Sequence, residues 1–145
     1  MGTRKMIVTL GMFSGLLATH GMAFAHGSGK QGAMVPADAQ MKKLHAMMPM
    51  FSLASAGMER ALEKGEFTQL ETEAGKITSA IPDLKKSKPH KKINQRRNFL
   101  EHVTDLETAV STTVELAKTG NFIEAKASFK KVEGACTACH AKFRD

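Results

Sequence analysis

The sequence NFIEAKASFKKVEGACTACHAKFR, residues 121–144, decides the fold that we expect for this chain. Apolar residues recur in it every three or four positions, as on one buried face of an α-helix. They are Phe122, Ala125, Phe129, Val132, Cys136, Cys139 and Phe143. Asn121 with Glu124 three positions later is typical of a helix start, and Gly120 is typical of the end of a preceding helix. The stretch therefore predicts a long amphipathic helix with both cysteines on its buried face.

The end of this helix contains the motif Cys136-Thr137-Ala138-Cys139-His140, the pattern of covalent c-type haem attachment. Thiols at positions i and i+3 lie on one side of a helix, so both can reach the same edge of a flat macrocycle and join its two vinyl groups. The imidazole of His140 can then bind the iron as the proximal ligand. These are the only two cysteines of the chain, so we expect one haem c.

Other uses of a cysteine pair fit less well. A thioredoxin-like dithiol requires a preceding strand in a βαβ unit, and no strand pattern lies nearby. A zinc site requires further ligands, and there is no second cysteine pair to supply them. A disulfide would suit an exported protein but would not explain His140. Haem attachment accounts for all three side chains.

Three further amphipathic segments precede this helix, at about residues 36–64, 67–81 and 93–118. In the first, Pro49 removes a backbone donor and predicts a kink or a late helix start. In the second, Pro82-Asp83 is expected to end the helix. Four amphipathic helices joined by short connections, without strand patterns, predict an all-α protein. The expected architecture is an antiparallel up-down four-helix bundle with a covalently attached haem.

The chain resembles the cytochrome c′ or class II cytochrome c family, whose members are four-helix bundles. The resemblance rests on the ending Cys136-x-x-Cys139-His140-x-x-Phe143-Arg144, on the helix that Gly120-Asn121-Phe122 opens, and on Lys64-Gly65-Glu66 after the first helix. It implies that Arg144 lies near the haem and that two copies can form a homodimer. Typical members leave the sixth iron position empty and bind nitric oxide or carbon monoxide there, whereas low-spin relatives place a methionine of the first helix at the iron.

The distal ligand can be sought at the start of the first helix, which an up-down bundle places level with the end of the fourth. All methionines after residue 25 lie between Met34 and Met58, and methionine sulfur is a good axial ligand of haem iron. The alternative is that they only fill space around a large cofactor. Met48 is the first candidate ligand, on the apolar face of the helix, with Met47 and His45 as alternatives.

The first 25 residues have the pattern of a cleaved signal peptide. Arg4 and Lys5 precede a short apolar run, and Ala23-Phe24-Ala25 is a small-x-small cleavage site. The apolar run is too short and too interrupted to span a bilayer. We therefore expect residues 26–145 to form one exported, periplasmic domain without a membrane span.

The chain is basic, with a formal net charge of +7. It has no Trp and no Tyr, and without aromatic–basic interleaving nucleic acid binding has little support. Residues 85–92 form a basic connector, either a solvated loop or a docking surface for an acidic redox partner. His90 and His102 have no metal-ligand spacing and are expected at the surface.

Two functions follow from these expectations. The first is a periplasmic electron carrier, in which a covalently bound haem alternates between ferric and ferrous iron. The second is a five-coordinate haem protein that binds nitric oxide or carbon monoxide. We do not expect an enzyme, because no nucleophile–base pair or carboxylate pair stands out in the sequence.

Overall fold

A computed structural model of the protein describes residues 39–144, which form four α-helices. They are α1 (Ala39–Lys64), α2 (Phe67–Lys86), α3 (Arg96–Lys118) and α4 (Phe122–Phe143), and no strand occurs within these residues. The predicted signal peptide, residues 1–25, lies outside the described residues, as does Met34. The all-α prediction is confirmed.

Short connections make consecutive helices antiparallel neighbours. Gly65 ends α1 with φ of 72° and Gly120 separates α3 from α4 with φ of 80°, a left-handed conformation that glycine adopts without strain. The side chain of Asn121 accepts a hydrogen bond from the backbone N–H of Glu124 at 3.2 Å. This contact is the N-terminal cap that the sequence predicts for α4. The helices pack α1 on α2, α2 on α3, α3 on α4 and α4 on α1, which is a four-helix bundle.

Pro49 lies inside α1, which runs unbroken from Ala39 to Lys64. A late start of the helix at this proline, one of the two outcomes expected from the sequence, is therefore wrong. Pro49 is exposed, so only the hydrogen bond to the carbonyl of His45 is lost, on a solvated part of the helix. Leu44 and Phe51 on either side of it are buried, and their packing holds the helix together.

The prediction that Pro82-Asp83 ends α2 is also wrong, because the helix continues to Lys86. Leu84 beyond the proline is buried in the core, and Lys85 forms an ion pair with Glu107 of α3 at 2.6 Å. The guanidinium of Arg96 donates to the backbone carbonyls of Lys85 and Ser87. These contacts offset the one backbone hydrogen bond that Pro82 removes.

The core consists of apolar stripes from all four helices. Its fully buried side chains include Met58, Leu70, Ile77, Val103, Val110 and Val132. The contact between α1 and α4 is the least extensive of the four neighbouring pairs, and a cavity opens beside it. None of the helices within residues 39–144 is long and apolar enough to cross a membrane.

Candidate functional site

A cavity of about 910 Å³ lies among the four helices, with lining residues on each of them. This volume is near the upper end of the range of roughly 300–1,000 Å³ that is usual for ligand and cofactor sites. Most of its walls are apolar. The larger apolar side chains are those of Leu44, Phe51, Leu84, Phe99, Leu106 and Phe143. The cavity can therefore enclose a large, mainly apolar ligand.

Cys136, Cys139 and His140 all line this cavity from the last turns of α4. The helix is continuous through the motif, so the two thiols lie one turn apart on the same side, as the spacing predicts. The two thiols are free and form no disulfide with each other. Both side chains are half-buried. The structure thus brings together the three residues that the sequence assigns to haem attachment.

Burial sets the protonation of these groups. It raises the pKa of the Cys139 thiol to about 11, with a further contribution from Cys136, and it raises the pKa of Cys136. Burial also lowers the pKa of His140, helped by the charge of Arg144. Desolvation disfavours the charged form of each group. The site therefore presents two protonated thiols and a neutral imidazole, and neutral imidazole is the form that binds metal ions.

The end of α4 is fixed by Phe143, which is buried and meets the ring of Phe99 edge to face at 5.5 Å. Its carbonyl accepts a hydrogen bond from the backbone N–H of Lys91 at 3.2 Å. This contact holds the α2–α3 connection against the end of α4. Arg144, the next residue, is exposed and lines the cavity, which is the neighbourhood that the family resemblance implies.

The candidate distal residues on α1 occupy different surroundings. Met48 is half-buried and lines the cavity. Met47 is only 8% exposed, belongs to the apolar core and does not line the cavity. His45 is exposed and lines the cavity, but its Nε2 lies 2.9 Å from Nε2 of His90 in a hydrogen bond. Met48 is thus the sulfur ligand candidate on the cavity wall.

The interpretation of His90 and His102 as surface residues is wrong. Both are half-buried and both line the cavity. His102 on α3 meets the ring of Phe143 edge to face at 5.9 Å. Sequence spacing could not place either one, because a lone histidine carries no periodic signal and these two reach the site only through tertiary packing.

The residues around this cavity fit a haem c. Two protonated thiols one helical turn apart suit thioether formation, and a neutral imidazole beside the second thiol suits iron. Apolar walls suit the faces of a porphyrin. Within residues 39–144, no group of three or more His, Cys, Asp or Glu side chains is placed to hold a metal ion by itself.

Comparison with known proteins gives one family. The family model described as cytochrome C′ matches residues 27–144 of this chain. Searches of curated protein sequences and of solved structures give no match. The matched residues include all four helices and every residue placed around the cavity.

Proposed function

The chain belongs to the cytochrome c′ family, and from this membership we propose that it is a periplasmic one-electron carrier with a single, covalently attached haem c. One observation carries the proposal: Cys136, Cys139 and His140 line the same cavity as Met48. The proposed attachment points, the proposed proximal ligand and the proposed distal sulfur ligand therefore surround one space. When bound, the haem supplies an iron that changes between ferric and ferrous states.

The residues of the fourth helix hold the cofactor. Each cysteine would hold the haem through a thioether, since net addition of its S–H across one vinyl C=C bond puts sulfur on one carbon and hydrogen on the other and releases nothing. Cys136 and Cys139 would hold the haem on α4, and His140 in its neutral form would be the iron ligand. Arg144 adds positive charge at the same end of the helix. The apolar walls would limit the access of water to the haem, which favours the lower charge of the ferrous state.

The proposed distal ligand is Met48. Its half-buried position on the cavity wall supports this choice over Met47, which is buried in the core. His45 would have to give up its hydrogen bond to His90 before it could bind iron through Nε2. A thioether ligand favours ferrous iron and raises the reduction potential, as suits an electron carrier.

The second candidate is a five-coordinate protein that binds nitric oxide or carbon monoxide. A feature of the α1 wall favours it: beyond Met48, three small side chains, Ser52, Ser55 and Ala56, line the cavity together with the larger Phe51 and Glu59. Small side chains on this wall leave room for a diatomic ligand. In this version Met48 remains near the iron without binding it.

The carrier is proposed to act without turning over a substrate, and its partner is proposed to be an acidic redox protein. Exposed lysines at positions 88, 91 and 92 lie in the connection that meets the end of α4 beside the cavity. Electrostatic attraction of this kind mainly accelerates association. Homodimer formation is a further proposal, which rests on family membership alone.

Two measurements test the proposed function. Haem c must remain with the polypeptide after denaturation and acid–acetone extraction. A redox titration followed by absorbance must give a Nernst curve with the slope of a one-electron reaction. Haem that extracts freely contradicts the attachment. Rapid carbon monoxide binding by the ferrous protein favours the gas-binding candidate over the carrier.

A further inference from the structure

Two histidines from separate parts of the chain meet at the cavity. His45 on α1 and His90 in the α2–α3 connection lie with Nε2 atoms 2.9 Å apart, ring centroids 4.8 Å apart and ring planes inclined by 16°. In such a contact one Nε2 donates its proton and the other accepts it. Both rings line the cavity. We call these two residues the histidine pair.

The histidine pair lies at the end of the cavity that carries the positive charge of Arg144, which we call the cationic end. The backbone N–H of Lys91, next to His90, donates to the carbonyl of Phe143. Arg144 follows Phe143 and lines the same cavity. The pair and the guanidinium of Arg144 are therefore gathered where the α2–α3 connection meets the end of α4.

Negative charge lies at another part of the cavity. Among the described residues, the carboxylates of its lining are those of Glu59 and Glu133. The pKa of Lys130 is raised chiefly by its hydrogen bond with Glu133, and also by the charge of Glu59, which places these three groups together. An anionic ligand in the cavity is repelled from this part and attracted to the cationic end.

We propose that the histidine pair binds a propionate carboxylate of the haem. The inference rests on the haem of the proposed function and assigns residues that would hold its charged edge. Each porphyrin propionate is a carboxylate with two acceptor oxygens, and imidazole Nε2–H groups are suitable donors. The N–H···N bond between His45 and His90 is then replaced by two N–H···O bonds to an anion, which are stronger. The ring whose Nε2 accepts in the pair carries its proton on Nδ1, so it would change tautomer to donate from Nε2, with no net gain or loss of a proton.

The surroundings favour an anion over a metal ion at the histidine pair. Arg144 lines the same cavity as the pair, and its positive charge disfavours a divalent cation there. No third histidine, cysteine or carboxylate among the described residues is placed to complete a metal site.

The experiment uses resonance Raman spectra of the intact haem protein, in which the propionate bending band responds to hydrogen bonding of the carboxylate. His90→Ala should shift this band towards its position for a propionate without protein donors. His90→Gln, whose side-chain amide can still donate, should restore most of the wild-type position. His102→Ala is the matched control, because His102 is also half-buried and lines the same cavity but lies outside the pair.

The outcomes separate this inference from the proposed function. A band that is unchanged in His90→Ala, or shifted equally by His102→Ala, overturns propionate binding by the pair. Covalent attachment is checked first by haem staining of the denatured protein. Absence of covalent haem at that step overturns the proposed function, whereas covalent haem with an unresponsive propionate band overturns only the role of His45 and His90.

Discussion

Met48 and His140 lie on different helices, α1 and α4, and line the same cavity. These helices form the least extensive contact of the bundle. The space between them is lined by apolar side chains from all four helices, so its contents contribute to the packing of the whole molecule. Function and stability are therefore linked at this site.

The first prediction concerns stability without the cofactor. An apolar cavity of about 910 Å³ that loses its contents loses the packing of its walls, and cavity formation in a core costs several kcal/mol. Protein that lacks haem should therefore be less stable than the haem protein by at least ~3 kcal/mol. Urea unfolding followed by circular dichroism measures the difference. Equal midpoints for the two forms would show that the cavity does not hold the cofactor.

The second prediction concerns the two thioethers. Cys136→Ser and Cys139→Ser should each leave one covalent bond and lower the yield of haem protein, whereas the double variant should release all haem to acid–acetone. Ala138→Ser is the control, since Ala138 is exposed, lies between the cysteines and does not line the cavity. Haem that stays attached in the double variant would contradict the assignment of the motif.

The third prediction concerns a close approach between α1 and α2. A Cβ on Gly57 would lie 2.6 Å from Cγ of Glu73. Glu73 is buried and is held by hydrogen bonds from Gln69 and Lys76 at 2.8 Å each. Gly57→Ala should therefore destabilise the protein by about 1–2 kcal/mol, because overpacking forces this side chain to move.

The control for this substitution is Gly75→Ala on α2. A Cβ on Gly75 would meet nothing within 4 Å, so the gain in helix propensity should stabilise the protein by roughly 0.5–1 kcal/mol. Urea unfolding of both variants measures whether each substitution lowers or raises the free energy of unfolding. A stabilised Gly57→Ala protein would mean that Glu73 turns away at little cost.

Much of the fold could be predicted because its signals are local. The period of apolar residues, the cap from Asn121 to Glu124 and the glycines at 65 and 120 each act within one or two turns of chain. The prediction that Pro82 ends α2 is wrong because it, too, considers only local signals. The lost hydrogen bond is local, whereas the compensating contacts of Leu84, Lys85 and Arg96 are made with other elements.

The residues of the candidate site also differ in whether local sequence signals could predict their positions. That Cys136, Cys139 and His140 lie together could be predicted from their spacing on one helix, and the position of Met48 on the cavity side could be predicted from the apolar face of α1. The position of His90 at the cavity could not be predicted, since its neighbour His45 is 45 positions away in the chain. Only the folded α2–α3 connection brings the two residues together. The distinction between Met47 and Met48 also needed the structure, because adjacent positions differ by about 100° around a helix.

The fourth prediction concerns charge beside the cavity. The variant Lys91→Glu/Lys92→Glu should slow oxidation of the ferrous protein by hexacyanoferrate(III), an anion, by roughly 3–10-fold at low ionic strength. The effect should shrink above about 0.5 M salt, where screening acts over a few ångströms. Stopped-flow absorbance measures the rate.

A control with the same change in net charge is Lys118→Glu/Lys126→Glu. Both lysines are exposed and lie near the start of α4, remote from the motif at its other end. Equal slowing in the two double variants would show that only net charge matters. In that case the basic connector, residues 85–92, is solvated surface and not a docking surface.

The fifth prediction, on the distal ligand, is also the most direct test of the electron-carrier proposal. It is the visible and near-infrared absorption spectrum of the ferric protein, recorded for the wild type and for Met48→Ala, with Met47→Ala as the control. Binding of iron by Met48 predicts a low-spin wild type with the weak near-infrared band of sulfur ligation. Met48→Ala should then be high-spin and bind carbon monoxide when reduced, whereas Met47→Ala should keep the wild-type spectrum. A wild-type protein that is already high-spin and binds carbon monoxide readily would contradict the carrier and leave the gas-binding function in its place.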